Sequence, residues 1–421
     1  MHLPPSHADS CVTLTGSDES VAFSVPQQSG LGVRAGHEEE TTEMAAVKNA
    51  LIVGGGPAGL CAAAMLGKRG IDVEIAEINA DTRPLGSGVS MMGPTLRALG
   101  MVDGEALRRC IDEGFGHHAL SFGNPEGQIV QRVELPKPAG PEYPGGCGIM
   151  RPAFWGLLAE IAEKAGARIR LSTTVKAIEP AADRVNVTLS DGSSAAYDLV
   201  VGADGLHSKV RDLAFPGATQ PFFTGQTVWR VTLPRPDEIS DGIAMFYGPR
   251  NKVGCSPVSD DEMYIFIVEN TAEITRPPQQ EWPAIVQALL ADYSGVIAWV
   301  RERVTDPARI DRRPLHAVLV PSPWYRGRVL LIGDAVHAAT PQLAMGAGIA
   351  IEDAVVLGEV LESHEDLGGA LAEFMERRWE RCRLVVENSL QLGEWEKHPD
   401  DPQADPAGLM DASLAVLAGA F

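Results

Sequence analysis

The sequence has little cysteine and no long apolar run, and each of these absences excludes a class of protein. No run of about 18 apolar residues occurs, so we expect no membrane-spanning helix and no stable membrane association. The 6 cysteines are scattered without a C-x-x-C pair, which argues against a metal site of the zinc type and against a secreted disulfide framework. A reducing, cytoplasmic location fits this cysteine usage.

Positive charge is also scarce, because 35 Lys and Arg face 56 Asp and Glu, for a net charge of −21. Nucleic acid favours a basic partner, so we predict that it is not a ligand. The 421 residues, 45% of them hydrophobic, are enough for two domains or for one domain with a large insertion. Residues 1–46 differ from the rest in their Pro, Ser and Gly content and their acidic patch, and we predict a flexible tail there.

A glycine-rich segment follows the first apolar run of the chain. Residues 50–53 (Ala-Leu-Ile-Val) are typical of a buried parallel strand. Residues 54–59 (Gly-Gly-Gly-Pro-Ala-Gly) lead from it into an Ala- and Leu-rich helix that we predict to stop at Gly70. Pro57 and Ala58 open this helix, whose free N–H groups and positive dipole end favour phosphates. The pattern predicts a dinucleotide-binding turn.

The glycines of this turn have separate physical roles. Gly54 permits the tight turn, Gly56 lets the backbone approach a pyrophosphate, and Gly59 allows the helix to pack closely on the strand. A second predicted strand ends at Glu77, 18 residues beyond Gly59. That spacing is close to the one expected for an acid that binds ribose hydroxyls.

Further along the chain, strand-like runs alternate with helical stretches. Predicted strands occupy 168–171, 174–179, 184–190, 197–201, 225–233, 242–247, 262–269 and 328–332, and predicted helices occupy 152–165, 281–291, 294–303, 346–362 and 367–391. Because core strands occur on both sides of the run from about 215 to 310, the nucleotide domain is interrupted in sequence. The predicted fold class is α/β, with a discontinuous Rossmann-like domain, an inserted mixed β-sheet substrate domain and C-terminal helices.

Three motifs in a fixed order resemble those of the single-component (group A) FAD-dependent aromatic hydroxylases, the relatives of para-hydroxybenzoate, salicylate and 3-hydroxybenzoate hydroxylases. They are the glycine turn, the segment 202–211 with its G-A-D-G-x-x-S-x-x-R pattern, and the segment 331–337 with G-D-A-x-H, followed by Ile-Glu-Asp-Ala at 351–354. The similarity runs from about residue 48 to 390. It implies an FAD domain over 47–115, 150–215 and 308–365, a substrate domain over 116–149 and 216–307, and C-terminal helices over 366–421.

The resemblance also implies a set of FAD-binding residues. Asp334 should accept hydrogen bonds from ribityl hydroxyls, and the helix after residue 345 should stabilise negative charge on the reduced flavin. The segment around Arg83 should lie along the flavin, and Arg151 should reach its ribityl or phosphate side. The predicted set is Gly54, Gly56, Pro57, Ala58, Gly59, Glu77, Arg83, Gly88, Val89, Arg151, Val175, Asp204, Gly205, Gly333, Asp334, Pro341, Gly346 and Ala347.

The chain departs from the family in the loop after the third motif. Where the family often has G-Q-G, this chain has Ala344-Met345-Gly346, so we expect the apolar side chain of Met345 near the flavin ring. This departure bears on the substrate class more than on FAD binding. We predict that His337 of the third motif is a packed, hydrogen-bonded histidine rather than a catalytic one.

The family reaction implied by the resemblance has two halves. NAD(P)H reduces the flavin, and O2 then forms a C4a-hydroperoxide whose terminal oxygen attacks an activated aromatic ring. Because the chain has a single dinucleotide fingerprint, we expect NAD(P)H to bind transiently as a co-substrate. The protein would then orient the rings and exclude water.

Candidate substrate residues lie in the predicted insertion. Arg230 is placed to clamp a carboxylate, and alternating aromatics at 245–247 and 264–266 are placed to wall a planar phenolic or N-heteroaromatic acid. Tyr247 or His316 would help to deprotonate a phenol. The predicted catalytic set is Arg230, Tyr247 and Met345. The alternative is that the aromatics fill the core and Arg230 forms a surface ion pair.

Other functions share these motifs. A ubiquinone-type hydroxylase, an isoprenoid reductase and a non-catalytic FAD-binding redox sensor stay open, whereas the W-x-W-x-I-P segment of flavin halogenases is missing from the sequence. The choice between NADH and NADPH, and between monomer and homodimer, is also open.

Overall fold

The computed structural model describes residues 47–82 and 86–421, so the predicted tail and the predicted FAD ligand Arg83 lie outside the described residues. The strands are β1 (Asn49–Val53), β2 (Asp72–Ala76), β3 (Gly88–Met92), β4 (Phe115–His117), β5 (Ala119–Gly123), β6 (Ile129–Glu134), β7 (Gly146–Met150), β8 (Arg168–Arg170), β9 (Val175–Pro180), β10 (Val185–Leu189), β11 (Ser194–Tyr197), β12 (Leu199–Gly202), β13 (Phe222–Pro234), β14 (Gly242–Tyr247), β15 (Lys252–Pro257), β16 (Glu262–Asn270), β17 (Ile310–Ala317), β18 (Tyr325–Arg326) and β19 (Val329–Leu331). The α-helices are α1 (Pro57–Gly67), α2 (Gly93–Val102), α3 (Gly104–Asp112), α4 (Arg151–Lys164), α5 (Lys209–Ala214), α6 (Trp282–Leu289), α7 (Gly295–Arg303), α8 (Asp334–His337), α9 (Gly346–Ser363), α10 (Leu367–Lys397) and α11 (Pro406–Ala418).

A six-stranded sheet in the order β18-β19-β12-β1-β2-β8 forms the first layer. Strand β1 pairs in parallel with β2 and β12, and β12 pairs in parallel with β19. Helices α4 and α9 pack against α1 beside this sheet. Its central strands are covered on both faces, which explains why their sequences are continuous apolar runs. The carboxyl ends of β1, β12 and β19 meet at one edge, so the three sequence motifs that follow these strands converge there.

The seven-stranded sheet in the order β17-β13-β16-β15-β14-β5-β6 carries the substrate side. It is mixed, because β14 pairs in parallel with β5 while its other pairs are antiparallel. One face packs its apolar residues, such as Trp229, against helices α6 and α7. Since side chains alternate along a strand, Arg230 turns to the opposite face.

The predicted α/β class, with an interrupted Rossmann-like sheet, an inserted mixed sheet and C-terminal helices, is confirmed. The predicted domain limits stay a prediction, and β17, at 310–317, pairs with β13 in the seven-stranded sheet. The last predicted long helix extends as α10 to Lys397. Among the described residues, no helix combines the length and the apolar character needed to cross a membrane.

Candidate cofactor and substrate site

The turn after β1 is built as its glycines require. Gly54 has φ +110°, and a Cβ there would lie 2.2 Å from the carbonyl oxygen of Ala203. A Cβ on Gly59 would lie 2.0 Å from the carbonyl oxygen of Gly54. By contrast, no described atom comes within 4 Å of a Cβ built on Gly56. The backbone at Gly56 is therefore open to a ligand, while Gly54 and Gly59 shape the turn.

Glu77, which directly follows β2, holds this turn through hydrogen bonds. Its Oε2 accepts a hydrogen bond from the backbone N–H of Gly55 at 2.6 Å, and its Oε1 accepts one from the backbone N–H of Asn79 at 2.7 Å. The carboxylate is buried, at 7% exposure. Glu77 thus holds the glycine turn, and its contact with a ribose stays a prediction.

Asp204 of the second motif uses its carboxylate within the chain. Its Oδ2 accepts hydrogen bonds from the backbone N–H groups of Lys209, at 2.7 Å, and Val210, at 3.1 Å. Its Oδ1 accepts the hydroxyl of Ser208. Burial raises the pKa of Asp204 even though these hydrogen bonds oppose the shift. The carboxylate therefore stabilises the start of α5, which sets the position of Gly205.

The third motif presents an acid to open space. Asp334 is the first residue of α8 and is exposed, and it lines a large cavity. Although the side chain faces the cavity, the protein around it displaces bulk water, and this desolvation raises the pKa of its carboxyl group. Gly333 before it has φ +60°, and its backbone N–H donates to Oδ2 of Asp353 at 2.9 Å. The motif is thus anchored on one side and open on the other.

Asp353, which holds Gly333, belongs to a buried network of charged side chains. The Asp353 carboxylate receives His337 Nε2 at 2.6 Å on Oδ2 and Arg378 Nε at 2.8 Å on Oδ1. Glu352 accepts Arg378 Nη1 at 2.9 Å and Arg381 Nε at 2.7 Å. All five side chains are at most 8% exposed. The network joins α8, α9 and α10, and the predicted packed role of His337 agrees with this environment.

The protonation of the pair follows from its surroundings. Burial opposes the charge on His337, but Cys382 and Asp353 outweigh it and raise the pKa of His337 well above its ordinary value. Burial would raise the pKa of Asp353, but His337 and Arg378 outweigh it and lower that pKa. The pair is therefore an imidazolium and a carboxylate near neutral pH.

The ligand atoms of His337, Asp353 and Cys382 lie within 4.8 Å of one another, as in a metal site. However, Arg378 contacts two of them, with Nε 2.8 Å from Asp353 Oδ1 and Nη2 3.3 Å from Cys382 Sγ. A guanidinium so placed repels a metal cation and already neutralises the carboxylate. This cluster is an ion-pair network.

One cavity of about 1060 Å³ joins the motifs to the seven-stranded sheet. On the cofactor side its wall includes the predicted residues Gly56, Pro57, Ala58, Gly88, Val89, Arg151, Gly205, Asp334, Pro341, Gly346 and Ala347. On the sheet side it includes Arg230, Tyr247, Tyr264 and Phe266. The predicted cofactor and substrate regions therefore share one continuous space.

Arg230 is a largely covered cation of the sheet wall, with a side chain that is 13% exposed. Its Nη1 lies 3.7 Å from Oδ2 of Asp311, and burial lowers the pKa of Arg230 to about 10. Tyr264 hydrogen-bonds to Ser90 at 2.8 Å between hydroxyl oxygens. Tyr247 is 47% exposed, and burial of its hydroxyl region raises its pKa. A raised pKa makes Tyr247 a hydrogen-bond donor rather than a base at neutral pH, which disfavours its predicted role in deprotonation.

A polar cluster, Gln226, Asn270, Gln342 and Glu396 with Lys252, forms another part of the wall. Glu396 of α10 pairs with Lys252, and its Oε2 receives Nε2 of Gln226 at 3.2 Å and Nε2 of Gln342 at 3.1 Å. Because a carboxylate only accepts hydrogen bonds, both amides must turn their nitrogens toward it. The cluster ties α10 to the sheet and to the loop before α9.

Some predicted residues lie away from the cavity surface. Of the predicted set, Gly54, Gly59, Glu77, Val175, Asp204, Gly333 and Met345 are absent from its lining. Met345 is fully buried, with Sδ 3.8 Å from Thr95 Oγ1, so it packs against α2 rather than facing the cavity as we expected. His316 packs against His207 and Phe223, also off the cavity. Sequence reasoning missed the polar cluster, because single Gln and Glu residues on separate elements form no motif.

Comparison with known proteins agrees with this geometry. The FAD binding domain family matches residues 48–391. The 2-heptyl-3-hydroxy-4(1H)-quinolone synthase of Pseudomonas aeruginosa is 31% identical over 354 residues, which are 82% of this chain and 90% of that protein. The FAD-dependent urate hydroxylase of Klebsiella oxytoca is 30% identical over 358 residues, 80% of this chain and 87% of that protein. A solved structure of a Klebsiella pneumoniae HpxO variant complexed with FAD has a TM-score of 0.75 and 25% identity, covering 88% of this chain and 94% of that one.

Proposed function

This chain belongs to the FAD binding domain family, and from that premise we propose that it is an FAD-dependent monooxygenase of small aromatic or N-heteroaromatic compounds. In this proposal NAD(P)H is the reductant and O2 the oxygen source. The observation that carries it is the continuous cavity lined both by Asp334 and by the aromatic wall with Arg230. Two relatives are named for N-heteroaromatic compounds, a quinolone and urate. A cytoplasmic location and a monomer or homodimer stay predictions.

The cofactor side of the cavity fits FAD. Gly56 leaves its backbone open to a pyrophosphate, and the Asp334 carboxylate faces the cavity where ribityl hydroxyls would donate to it. Within the described part of the chain, buried Arg151 Nε has no hydrogen-bond partner. An acceptor on a bound group would satisfy this donor. When bound, FAD supplies the electron transfer and the activation of O2.

The residues of this chain would position the reactants. The N-terminus of α9, at Gly346 and Ala347, lines the cavity and favours negative charge on a ring placed against it. Apolar side chains of the sheet wall, such as Val228 and Phe266, keep water from that space. Arg230 would hold an acidic or strongly polar group of the substrate.

The proposal is tested by the spectrum and by substrate-dependent oxygen uptake. We expect a yellow protein that consumes NAD(P)H and O2 together when a benzoate, phenol, quinolone or pyridine acid is turned over. Bound flavin without NAD(P)H consumption across this screen would favour the redox-sensor function. A protein that neither retains nor binds FAD would contradict the proposal.

Replacing Arg230 tests the substrate side. We expect Arg230→Gln to raise the KM of acidic aromatic substrates about 10-fold to 150-fold, because charge-assisted hydrogen bonds contribute about 1.5–3 kcal/mol. Steady-state kinetics with an acid and its neutral amide would measure this difference. Arg313→Gln is the matched control, since Arg313 pairs with the same Asp311 but has a 62% exposed side chain and lies off the cavity. An unchanged KM for every acid tried would remove Arg230 from substrate binding.

A further inference from the structure

The cavity extends from the loop before α9 to the C-terminal helices α10 and α11. Leu392 and Trp395 of α10 and Met410 and Leu414 of α11 line it together. We call these four side chains the apolar lobe. It belongs to the same continuous space as Arg230 and Asp334.

The lobe has a fixed wall. Arg97 of α2 donates to the carbonyl oxygens of Ala418 and Gly419, each at 2.6 Å. Arg381 of α10 donates to the carbonyl oxygen of Leu417, also at 2.6 Å. These charge-assisted bonds hold the end of α11 against the body of the protein. The lobe is therefore a formed surface rather than the face of a loosely attached helix.

Three of the four side chains of the lobe are incompletely covered. Trp395, Met410 and Leu414 are half-buried, whereas Leu417, on α11 with Met410 and Leu414, is fully buried in the core. Covering such apolar surface with an apolar group is favourable. The four side chains of the lobe carry no charge, so they favour an apolar occupant over a charged one.

The rest of the cavity lining is more polar. It includes Arg230, the Glu396–Lys252 pair and the rings of Tyr264 and Phe266. One continuous space lined by polar, aromatic and aliphatic side chains matches an amphipathic molecule. The phosphates and riboses of NAD(P)H match the lobe poorly.

Resting on the proposed function, we propose that the substrate is an aromatic or heteroaromatic ring with an extended apolar substituent. The ring lies at the sheet wall, and the substituent lies against Leu392, Trp395, Met410 and Leu414. The C-terminal helices thereby determine which substituted rings are accepted.

A homologous series tests this assignment. The probes are 4(1H)-quinolones with methyl, propyl, pentyl or heptyl at position 2, bound to the FAD-loaded protein without NAD(P)H and measured by calorimetry. We expect Kd to fall about threefold to fourfold per added methylene until the lobe is filled. A Kd independent of chain length would overturn the proposal.

Variants show whether the lobe is responsible. Leu414→Asp should flatten the dependence of Kd on chain length, since a carboxylate in the lobe opposes an alkyl chain. Val416→Asp is the matched control, because Val416 lies on the same helix, is 52% exposed and does not line the cavity. Equal slopes for both variants and the unaltered protein would overturn the assignment.

Two further readouts separate the remaining occupants. If light scattering shows a dimer that Leu414→Asp dissociates, a second copy of the chain covers the lobe. If NADPH competes with the heptyl probe and Leu414→Asp abolishes this competition, the lobe binds the reductant. Either result would overturn the proposal. Chain-length-dependent binding without any NAD(P)H-dependent oxygen uptake would support the lobe while contradicting the proposed monooxygenase function.

Discussion

We expect the free energy of unfolding of an Asp353→Asn variant to be about 3–5 kcal/mol lower than that of the unaltered protein. We also expect this variant to retain FAD poorly. Asp353 is fully buried and receives the backbone N–H of Gly333, His337 Nε2 and Arg378 Nε, and more weakly the Cys382 thiol at 3.8 Å. Removing one partner of a buried ion pair leaves an uncompensated charge, which accounts for the expected cost. Because Gly333 precedes Asp334, the loss of its anchor should also loosen the cofactor side of the cavity.

The pH dependence of this stability loss identifies the contribution of the His337–Asp353 pair. The raised pKa of His337 gives stability that is complete below its unfolded pKa, about 6.5, and is lost as pH rises through its folded pKa. The lowered pKa of Asp353 gives stability that is complete above its unfolded pKa, about 3.9, and is lost as pH falls through its folded pKa. The stability difference between the two proteins should therefore be largest between about pH 4 and 6.5 and smaller at pH 9.

Urea denaturation across this pH range measures the effect. Glu387→Gln is the control, because Glu387 pairs with Arg383 on the exposed face of α10 and should change stability by less than about 0.5 kcal/mol. A difference below 1 kcal/mol at pH 6 would show that the network does not stabilise the fold. A large difference of constant size at every pH would assign the effect to Arg378 and the Gly333 N–H rather than to His337.

The parallel sheet could be predicted from the sequence because the apolar runs of its strands match the buried positions that these strands occupy. Residues 50–53 and 199–202 are apolar throughout because both faces of β1 and β12 are covered. The glycines after β1 were assigned from steric needs that the structure shows directly, such as the 2.0 Å approach at Gly59. The discontinuous domain followed from the order of these strands.

The sequence was insufficient where function depends on side-chain direction. Met345 was placed near the flavin from its position in a loop, but its side chain turns into the core beside Thr95. No periodicity distinguishes these two directions for one residue in an irregular segment. The sequence does not predict the cluster at Glu396 for a related reason, since its members lie on β13, on α10 and in the loop before α9 and meet only in the folded chain.

Replacing Asp334 with alanine is expected to weaken FAD binding about 10-fold to 150-fold without lowering the stability of the apoprotein. The Asp334 carboxylate faces the cavity, and desolvation by the surrounding protein raises its pKa more than the charges of His337 and Arg151 lower it. Hydrogen bonds between ribityl hydroxyls and a carboxylate contribute about 1.5–3 kcal/mol, which gives the expected change in Kd. Flavin fluorescence during titration of the apoprotein with FAD measures that Kd.

Asp204→Ala provides the contrasting control, since both aspartates belong to FAD motifs but only Asp334 presents its carboxylate to the cavity. Removing Asp204 deprives the start of α5 of its acceptors, so this variant should lose about 1–2 kcal/mol of stability. Its change in FAD affinity, measured at a temperature where it is folded, should be smaller than that of Asp334→Ala. The reverse order would mean that the second motif, rather than the third, binds the ribityl chain.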